Sequence, residues 1–74
     1  MLSLNDIKPG KRARIIKLSG RNAITRRMID MGVVPGAEVM VERVAPLGDP
    51  IAIKIKGYHL SLRRAEAARV SVEC

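Results

Sequence analysis

Few side chains in this sequence have the types and spacing that acid–base, nucleophilic or metal chemistry requires. His59 is the only histidine, and Cys74 is the only cysteine and the last residue. A catalytic or metal site needs several converging groups, and no such cluster surrounds either residue in the sequence. His59 falls on the polar side of an alternating segment, although it could supply one ligand to a metal site shared with Cys74 or a carboxylate of another copy.

Other signatures of catalysis are also missing. Asp30, Asp49 and Glu66 are too scattered to predict a general acid–base pair. No glycine-rich loop ending in Lys-Ser or Lys-Thr is present to hold nucleotide phosphates. The single cysteine excludes an internal disulfide and fits a reducing compartment. We therefore predict no enzymatic activity, no catalytic or metal-binding residue and no bound cofactor.

The charge favours an acidic partner. Fourteen Lys and Arg against seven Asp and Glu give a net charge of +7, which attracts nucleic acid, anionic lipid or an acidic protein surface. Unpaired bases are usually held on aromatic side chains, and Tyr58 is the only aromatic residue. This shortage disfavours nucleic acid. The candidates for binding a partner protein are two basic pairs and one apolar loop residue: Arg26, Arg27, Arg63, Arg64 and Leu47.

Leu47 lies between two prolines in a turn-like segment, residues 46–50. It could tuck under the loop or stand out as a contact for a partner, and the sequence leaves both open. The arginine pairs could serve only to keep a small basic domain in solution, which is the commoner role of evenly spread charge.

The elements that must position these residues are short. Residues 51–62 alternate as a β-hairpin around Lys56-Gly57. A two-residue loop would place six apolar residues on one face, in the facing pairs Ile55 and Tyr58, Ile53 and Leu60, Ile51 and Leu62. The other face would carry Ala52, Lys54, His59, Ser61 and Arg63. A bulged loop at Gly57 remains the alternative, because lysine is a poor residue for positive φ.

A helix is predicted from Ala23, with Asn22 as its N-cap and Gly32 ending it. Its apolar stripe comprises Ile24, Met28 and Met31. Arg26, Arg27 and Asp30 would face solvent or a partner. The two methionines fit a core better than a ligand set.

Pro9-Gly10 and Pro35-Gly36 each precede an apolar strand and fit type II turns. Ile15-Ile16 breaks the alternation of the first of these strands and implies a bulge or a stretch that is covered on both faces. Arg43-Val44 blurs the alternation of the second and implies a twist or a bulge. Residues 63–68 favour a helical turn, and residues 70–72 a closing strand. The pattern predicts a mainly β fold: a small closed or nearly closed barrel of about five strands, with one short helix after the first strand and a helical turn before the last.

We expect residues 1–74 to form a single domain. No segment approaches the roughly 18 apolar residues of a membrane span, so we expect no membrane insertion by the chain itself. We expect a cytosolic protein.

Three segments resemble the FeoA family of ferrous iron transport proteins. They are residues 27–36, with Asp30-Met31-Gly32 and Pro35-Gly36; residues 44–51, with Leu47-Gly48-Asp49-Pro50; and residues 56–63, with Leu60-Ser61-Leu62-Arg63. The order and spacing of these motifs are jointly specific.

The resemblance implies an SH3-like β-barrel and an accessory role in ferrous iron uptake. It further implies a partner, the membrane permease FeoB with its cytosolic GTP-binding domain, which would recruit the chain to the inner face of the membrane. We expect the protein to regulate that permease as a monomer or weak homo-oligomer. The alternatives are a nucleic-acid-binding barrel and a repressor-type metal-sensing module. The resemblance allows the second, because the same fold forms the last domain of metal-dependent repressors.

Overall fold

A computed structural model describes residues 2–20 and 23–74. Within these two ranges, six strands form one antiparallel sheet in the order β1-β6-β2-β3-β4-β5. The strands are β1 (Leu2–Ser3), β2 (Arg12–Leu18), β3 (Glu38–Val44), β4 (Ile51–Ile55), β5 (Tyr58–Leu62) and β6 (Val70–Glu73). The helices are α1 (Ala23–Asp30) and α2 (Arg64–Ala67), with a 3-10 helix at Leu4–Asp6. The prediction of a mainly β fold, with a helix after the first long strand and a helical turn before the last, is confirmed.

The sheet has one strand more than predicted, and it takes the nearly closed of the two predicted forms. The two-residue strand β1 pairs with β6, Leu2 opposite Val72, and adds a sixth strand. No hydrogen-bonded ladder joins β5 to β1 among the described residues, so the sheet curls without closing. A strand of two residues has no alternation to read, which is why the sequence pattern missed it.

The inward side chains of the sheet form an aliphatic core. Ile15, Val39, Val41, Ile53 and Val72 are all almost completely buried. Leu4 of the 3-10 helix, Met28 of α1 and Ala67 of α2 cover this core and are 0% exposed. The helices therefore act as lids over a curled sheet that could not bury both of its ends alone.

The central hairpin has the predicted two-residue loop. Ile55 faces Tyr58, Ile53 faces Leu60, and Ile51 faces Leu62. Lys56 (φ 50°) and Gly57 (φ 82°) both take the left-handed conformation, as a type I′ turn requires. The bulged alternative is therefore wrong, and the turn tolerates a lysine in the conformation that glycine favours.

Tyr58 corrects one part of that prediction. Its register is the predicted one, but its ring is 66% exposed instead of lying in the core. Tyr58 is the first residue of β5, at the tip of the hairpin, and its facing residue on β4, Ile55, is 1% exposed. Facing an inward residue is therefore not sufficient for burial at a strand end.

The two Pro-Gly turns are equivalent, as predicted. The N–H of Lys11 donates to the C=O of Lys8, and the N–H of Ala37 donates to the C=O of Val34, both at 3.1 Å. Gly10 and Gly36 occupy the left-handed position of a type II turn, with φ of 86° and 90°. Each glycine N–H then donates 2.7 Å to the neighbouring strand, Gly10 to Val41 of β3 and Gly36 to Ile15 of β2. The hydrogen bonds of the two turns therefore hold β2 and β3 together, and they are related by a local two-fold axis.

At both positions the structure has a bulge, one of the two possibilities that the sequence left open at each. The register between β2 and β6 shifts between Ile15 and Lys17, and that between β3 and β4 shifts between Val41 and Arg43. Bulges bend and twist a strand, which curls the sheet round its core.

Helix α1 ends as predicted but buries a different line of residues. The N–H of Val33 donates to the C=O of Met28, and the N–H of Gly32 (φ 98°) to that of Ile29, which is a Schellman motif. The buried residues of α1 are Thr25 and Met28, while Ile24 is 38% exposed and Met31 is half-buried. The Schellman contact of Met28 with Val33 sets this rotation, so the predicted stripe is only partly right. The predicted N-cap, Asn22, lies outside the described residues.

Candidate functional site

The loop that carries Leu47 is held in shape by its own backbone. Between β3 and β4, the N–H of Gly48 donates to the C=O of Ala45 at 2.7 Å, and the N–H of Ala45 donates to the C=O of Pro50 at 3.1 Å. Leu47 is 94% exposed at the tip. Of the two possibilities that the sequence left open, the structure shows the outward one. A defined loop therefore presents a leucine to solvent.

Helix α2 lies beside this loop and is bonded to it. The backbone N–H of Arg64 donates to Asp49 Oδ1 at 3.1 Å. A Cβ placed on Gly48 would lie 2.9 Å from Arg64 Nη1, so the guanidinium of Arg64 covers the loop backbone. Asn5 Nδ2 also donates to the C=O of Arg64 at 2.9 Å and fixes α2 to the 3-10 helix. Leu47 and Arg64, distant in sequence, are thus brought together.

Glu66 connects α2 to α1. Its Oε1 accepts from the N–H of Arg63 at 2.7 Å, and its Oε2 lies 3.2 Å from Arg27 Nη2. The carboxylate is buried, whereas the Arg27 side chain is 65% exposed. Arg27 therefore has a structural partner that the sequence did not reveal, because Glu66 is remote from it in the chain. Its part in binding a partner protein stays a prediction.

Arg26 and Arg63 are exposed, and within residues 2–20 and 23–74 neither guanidinium forms an ion pair. Arg26 and Arg27 border an open groove along α1, with Ala23 and Ile29 in its wall. We call the five predicted partner-binding residues, with the backbone of residues 45–50 and helix α2, the α2 surface. Helix α2 contacts the loop that carries Leu47 through Arg64, and it contacts Arg27 of α1 through Glu66. Arg26 lies on α1, and Arg63 directly precedes α2.

Sequence reasoning missed the apolar component contributed by α1. Ile24 and Ile29 are 38% and 45% exposed, on a helix that already carries two arginines. The spacing of Met28 from Gly32 and Val33 in a Schellman motif could have indicated which side of the helix is buried. Apolar side chains beside free cations suit a protein partner better than a purely electrostatic one.

The residues considered for metal chemistry do not form a site in the described part of the chain. His59 Nδ1 lies 2.8 Å from Glu42 Oε1 on the outer face of the sheet. No group of three His, Cys, Asp or Glu side chains converges within the described ranges. Cys74 is exposed. His59 thus sits in a surface pair on the predicted polar face.

The fold is that of small SH3-like domains of the FeoA type. The structure superimposes on FeoA of Chlorobium tepidum with a TM-score of 0.91 at 40% identity, covering 97% of this chain and 69% of that one. It superimposes on Stenotrophomonas maltophilia FeoA complexed with zinc, described as a procaryotic SH3 domain protein, with a TM-score of 0.88 at 27% identity, covering 99% and 91%. A manganese-dependent transcriptional repressor shares the fold alone, with a TM-score of 0.87 at 15% identity, covering 97% of this chain and 40% of that one.

The chain belongs to the FeoA domain family, whose model matches residues 2–74. A curated relative is the Fe(2+) transport protein A/Fe(2+) transporter FeoB fusion protein of Porphyromonas gingivalis, 38% identical over 72 residues. The match covers 97% of this chain and 8% of the fusion protein. The predicted family is confirmed. No helix in residues 2–20 and 23–74 has the length and apolarity to cross a membrane.

Proposed function

We propose that residues 1–74 act as one cytosolic domain that docks on a FeoB-type permease through the α2 surface. Docking biases the GTPase cycle or the gate of the permease, and the chain supplies no catalytic chemistry of its own. The protein reaches the inner face of the membrane through this partner. The observation that carries the proposal is Leu47, 94% exposed on a backbone-braced loop beside Arg64.

The fusion relative supports the choice of partner. In that protein a FeoA-type segment and FeoB belong to one chain, so the two are held at high effective concentration. Selection for such proximity fits a direct contact between them. Arginine is enriched in protein interfaces, and an exposed apolar side chain beside it supplies area that a partner can bury.

The arginines give the contact a second purpose. Arg26 and Arg63 have no ionic partner among the described residues and are therefore available to an acidic surface or to a phosphate. An arginine placed beside a transferring phosphoryl group stabilises its charge. GTP hydrolysis by the permease is thus a quantity that docking through this surface could change.

The experiment is a titration of isotope-labelled protein with the soluble GTP-binding domain of the cognate permease, in its GTP-analogue and GDP states. Backbone amide shifts followed by NMR should saturate and map to residues 45–50, α1 and α2. Saturable shifts confined to another face would move the docking site elsewhere. Absence of shifts in both nucleotide states would overturn docking on that domain.

Leu47→Asp tests the apolar anchor. We expect binding to weaken by about tenfold or more, because the change removes the exposed contact and introduces a charge that must be desolvated. Ile16→Asp is the matched control, since Ile16 is exposed at the β2 bulge, outside the α2 surface. Both melting temperatures should stay near the wild-type value. Equal affinity of the two variants would refute the role of Leu47.

Arg26→Glu and Arg63→Glu test the charged component, with Lys17→Glu on β2 as the control. Combining Arg26→Glu with Arg27→Glu is less suitable, because a carboxylate at position 27 would face Glu66. We expect each arginine variant to reduce affinity about three- to tenfold at low salt and less at high salt. An equal loss in Lys17→Glu would indicate non-specific attraction.

Exposure of Tyr58 favours nucleic acid as a second candidate, since the ring is free to stack and Lys56 adjoins it. Single-stranded binding of this kind would fall steeply with salt and would be lost in Tyr58→Ala. Docking on the permease should instead keep much of its affinity in salt and be unaffected by Tyr58→Ala. Fluorescence anisotropy with an oligonucleotide separates the two.

A further inference from the structure

The outer edge of β5 has no neighbour in the sheet. β5 is last in the strand order, and only β4 pairs with it among the residues that the structure describes. A two-residue hairpin makes Ile55 and Tyr58 a hydrogen-bonded pair, after which bonded and non-bonded pairs alternate. The N–H and C=O groups of His59 and Ser61 therefore point away from β4. No other described group bonds them.

This edge also lacks the devices that usually protect one. Natural edge strands are short, bulged, or interrupted by proline or lysine. β1, the opposite edge, has only two residues. β5 has five residues, a regular register along its whole length, and neither proline nor lysine. His59 and Ser61 are exposed, which leaves the edge accessible.

The charge around this edge is of one sign. Residues 51–65 contain four Lys and Arg and no Asp or Glu. Lys54 stands opposite His59 on the neighbouring strand, Lys56 is in the hairpin turn, and Arg63 follows β5 directly. A second copy paired along the same edge would bring these cations together, which disfavours self-association. An acidic strand would meet them with opposite charge.

We propose that the outer edge of β5 is a docking site for an extended, acidic segment of a partner protein, which adds to the sheet as a seventh strand. Its main chain bonds the N–H and C=O of His59 and Ser61, and its carboxylates lie near Lys54, Lys56 and Arg63. This mode of recognition takes affinity from main-chain hydrogen bonds and selectivity from side chains. The inference goes beyond docking through the α2 surface and does not rest on it.

The test uses the whole labelled chain and a blocked synthetic peptide, acetyl-Thr-Glu-Val-Glu-Val-Glu-Thr-amide. We expect saturable shifts at residues 58–63, and amide exchange of His59 and Ser61 slowed about tenfold at saturation. A peptide with lysine in place of each glutamate should bind at least about tenfold more weakly. Equal binding of the two peptides, or shifts without slower exchange at His59 and Ser61, would overturn the proposal. Protection that grows with protein concentration without peptide would identify a second copy as the occupant and also overturn it.

Ser61→Pro removes one outward donor without removing a bond to β4, since proline is tolerated at that position of an edge strand. In this variant the peptide should no longer slow amide exchange at His59, and the affinity for the glutamate peptide should fall at least about fivefold. Ser61→Ala is the matched control and should bind as wild type.

If Ser61→Pro does not fold, the double variant Lys54→Glu with Lys56→Glu tests the same edge by reversing its charge. Unchanged affinity in the folded variant would refute the site. Leu47→Asp should bind the peptide normally, which separates failure here from failure of docking through the α2 surface.

Discussion

Glu66 illustrates how one residue can position a surface without touching a partner. Its two carboxylate oxygens hold different elements, the N-terminus of α2 through the N–H of Arg63 and α1 through Arg27. The pair with Arg27 is partly exposed, so its own contribution to stability is small. The greater effect is geometric, because both helices present their remaining cations from fixed places.

Replacing Glu66 should therefore weaken the fold through the cap. We expect Glu66→Ala to lower the free energy of unfolding by about 1–2 kcal/mol, because the partly buried N–H of Arg63 loses its acceptor. Glu66→Gln should cost less, since an amide oxygen still accepts from Arg63. Urea denaturation measures both, with Glu73→Ala, exposed on β6, as the control within about 0.5 kcal/mol of wild type. A Glu66→Ala cost no larger than the control's would contradict the capping role.

At the scale of elements, the β2–β3 pair depends on its two Pro-Gly turns. Gly10 and Gly36 have positive φ, and a Cβ on either would meet no atom within 4 Å. Conformational strain is therefore the whole expected cost of an added side chain.

Gly10→Ala and Gly36→Ala should each destabilise the protein by about 1 kcal/mol, and by similar amounts. Asparagine, which tolerates the left-handed conformation, should cost less than alanine at both sites. Thermal unfolding of the four variants checks this. A cost at only one of the two turns would contradict their equivalence.

Most of the individual strands, turns and helices could be predicted from the sequence. The hairpin register, both type II turns, the positions of both bulges and α2 were predictable because each follows from residues adjacent in the chain. Tyr58 and Ile24 were misjudged because their exposure depends on where distant elements end. At the α2 surface, the pairing of Arg27 with Glu66 and the approach of Arg64 to Gly48 join distant segments and left no sequence signal. The exposure of Leu47 was one of two possibilities until the loop's hydrogen bonds were known.

For the whole molecule, the net charge of +7 on 74 residues opposes compaction. Two arginine–carboxylate ion pairs, Arg12 with Glu38 and Arg27 with Glu66, are present among the described residues, which leaves most cations to repel one another.

We therefore expect added salt to stabilise the fold. Raising NaCl from about 0.05 to about 0.5 M shortens the screening length severalfold and should raise the melting temperature by about 2–5 °C. Lys8→Glu combined with Lys11→Glu, which lowers the net charge by four, should flatten this dependence. Calorimetry over a salt series provides the comparison. A melting temperature that falls with salt would show that the surface attractions outweigh the repulsion.

The pairing of β1 with β6 has a consequence for how such a domain is tethered. Leu2 lies opposite Val72 and Ser3 opposite Ser71, so both ends of the described chain leave from one edge of the sheet. A linker attached at either end starts from nearly the same point and gives the domain nearly the same reach. In a fusion, a neighbouring protein can therefore precede or follow this domain in the chain. In either order, nearly the same faces of the domain can reach that neighbour.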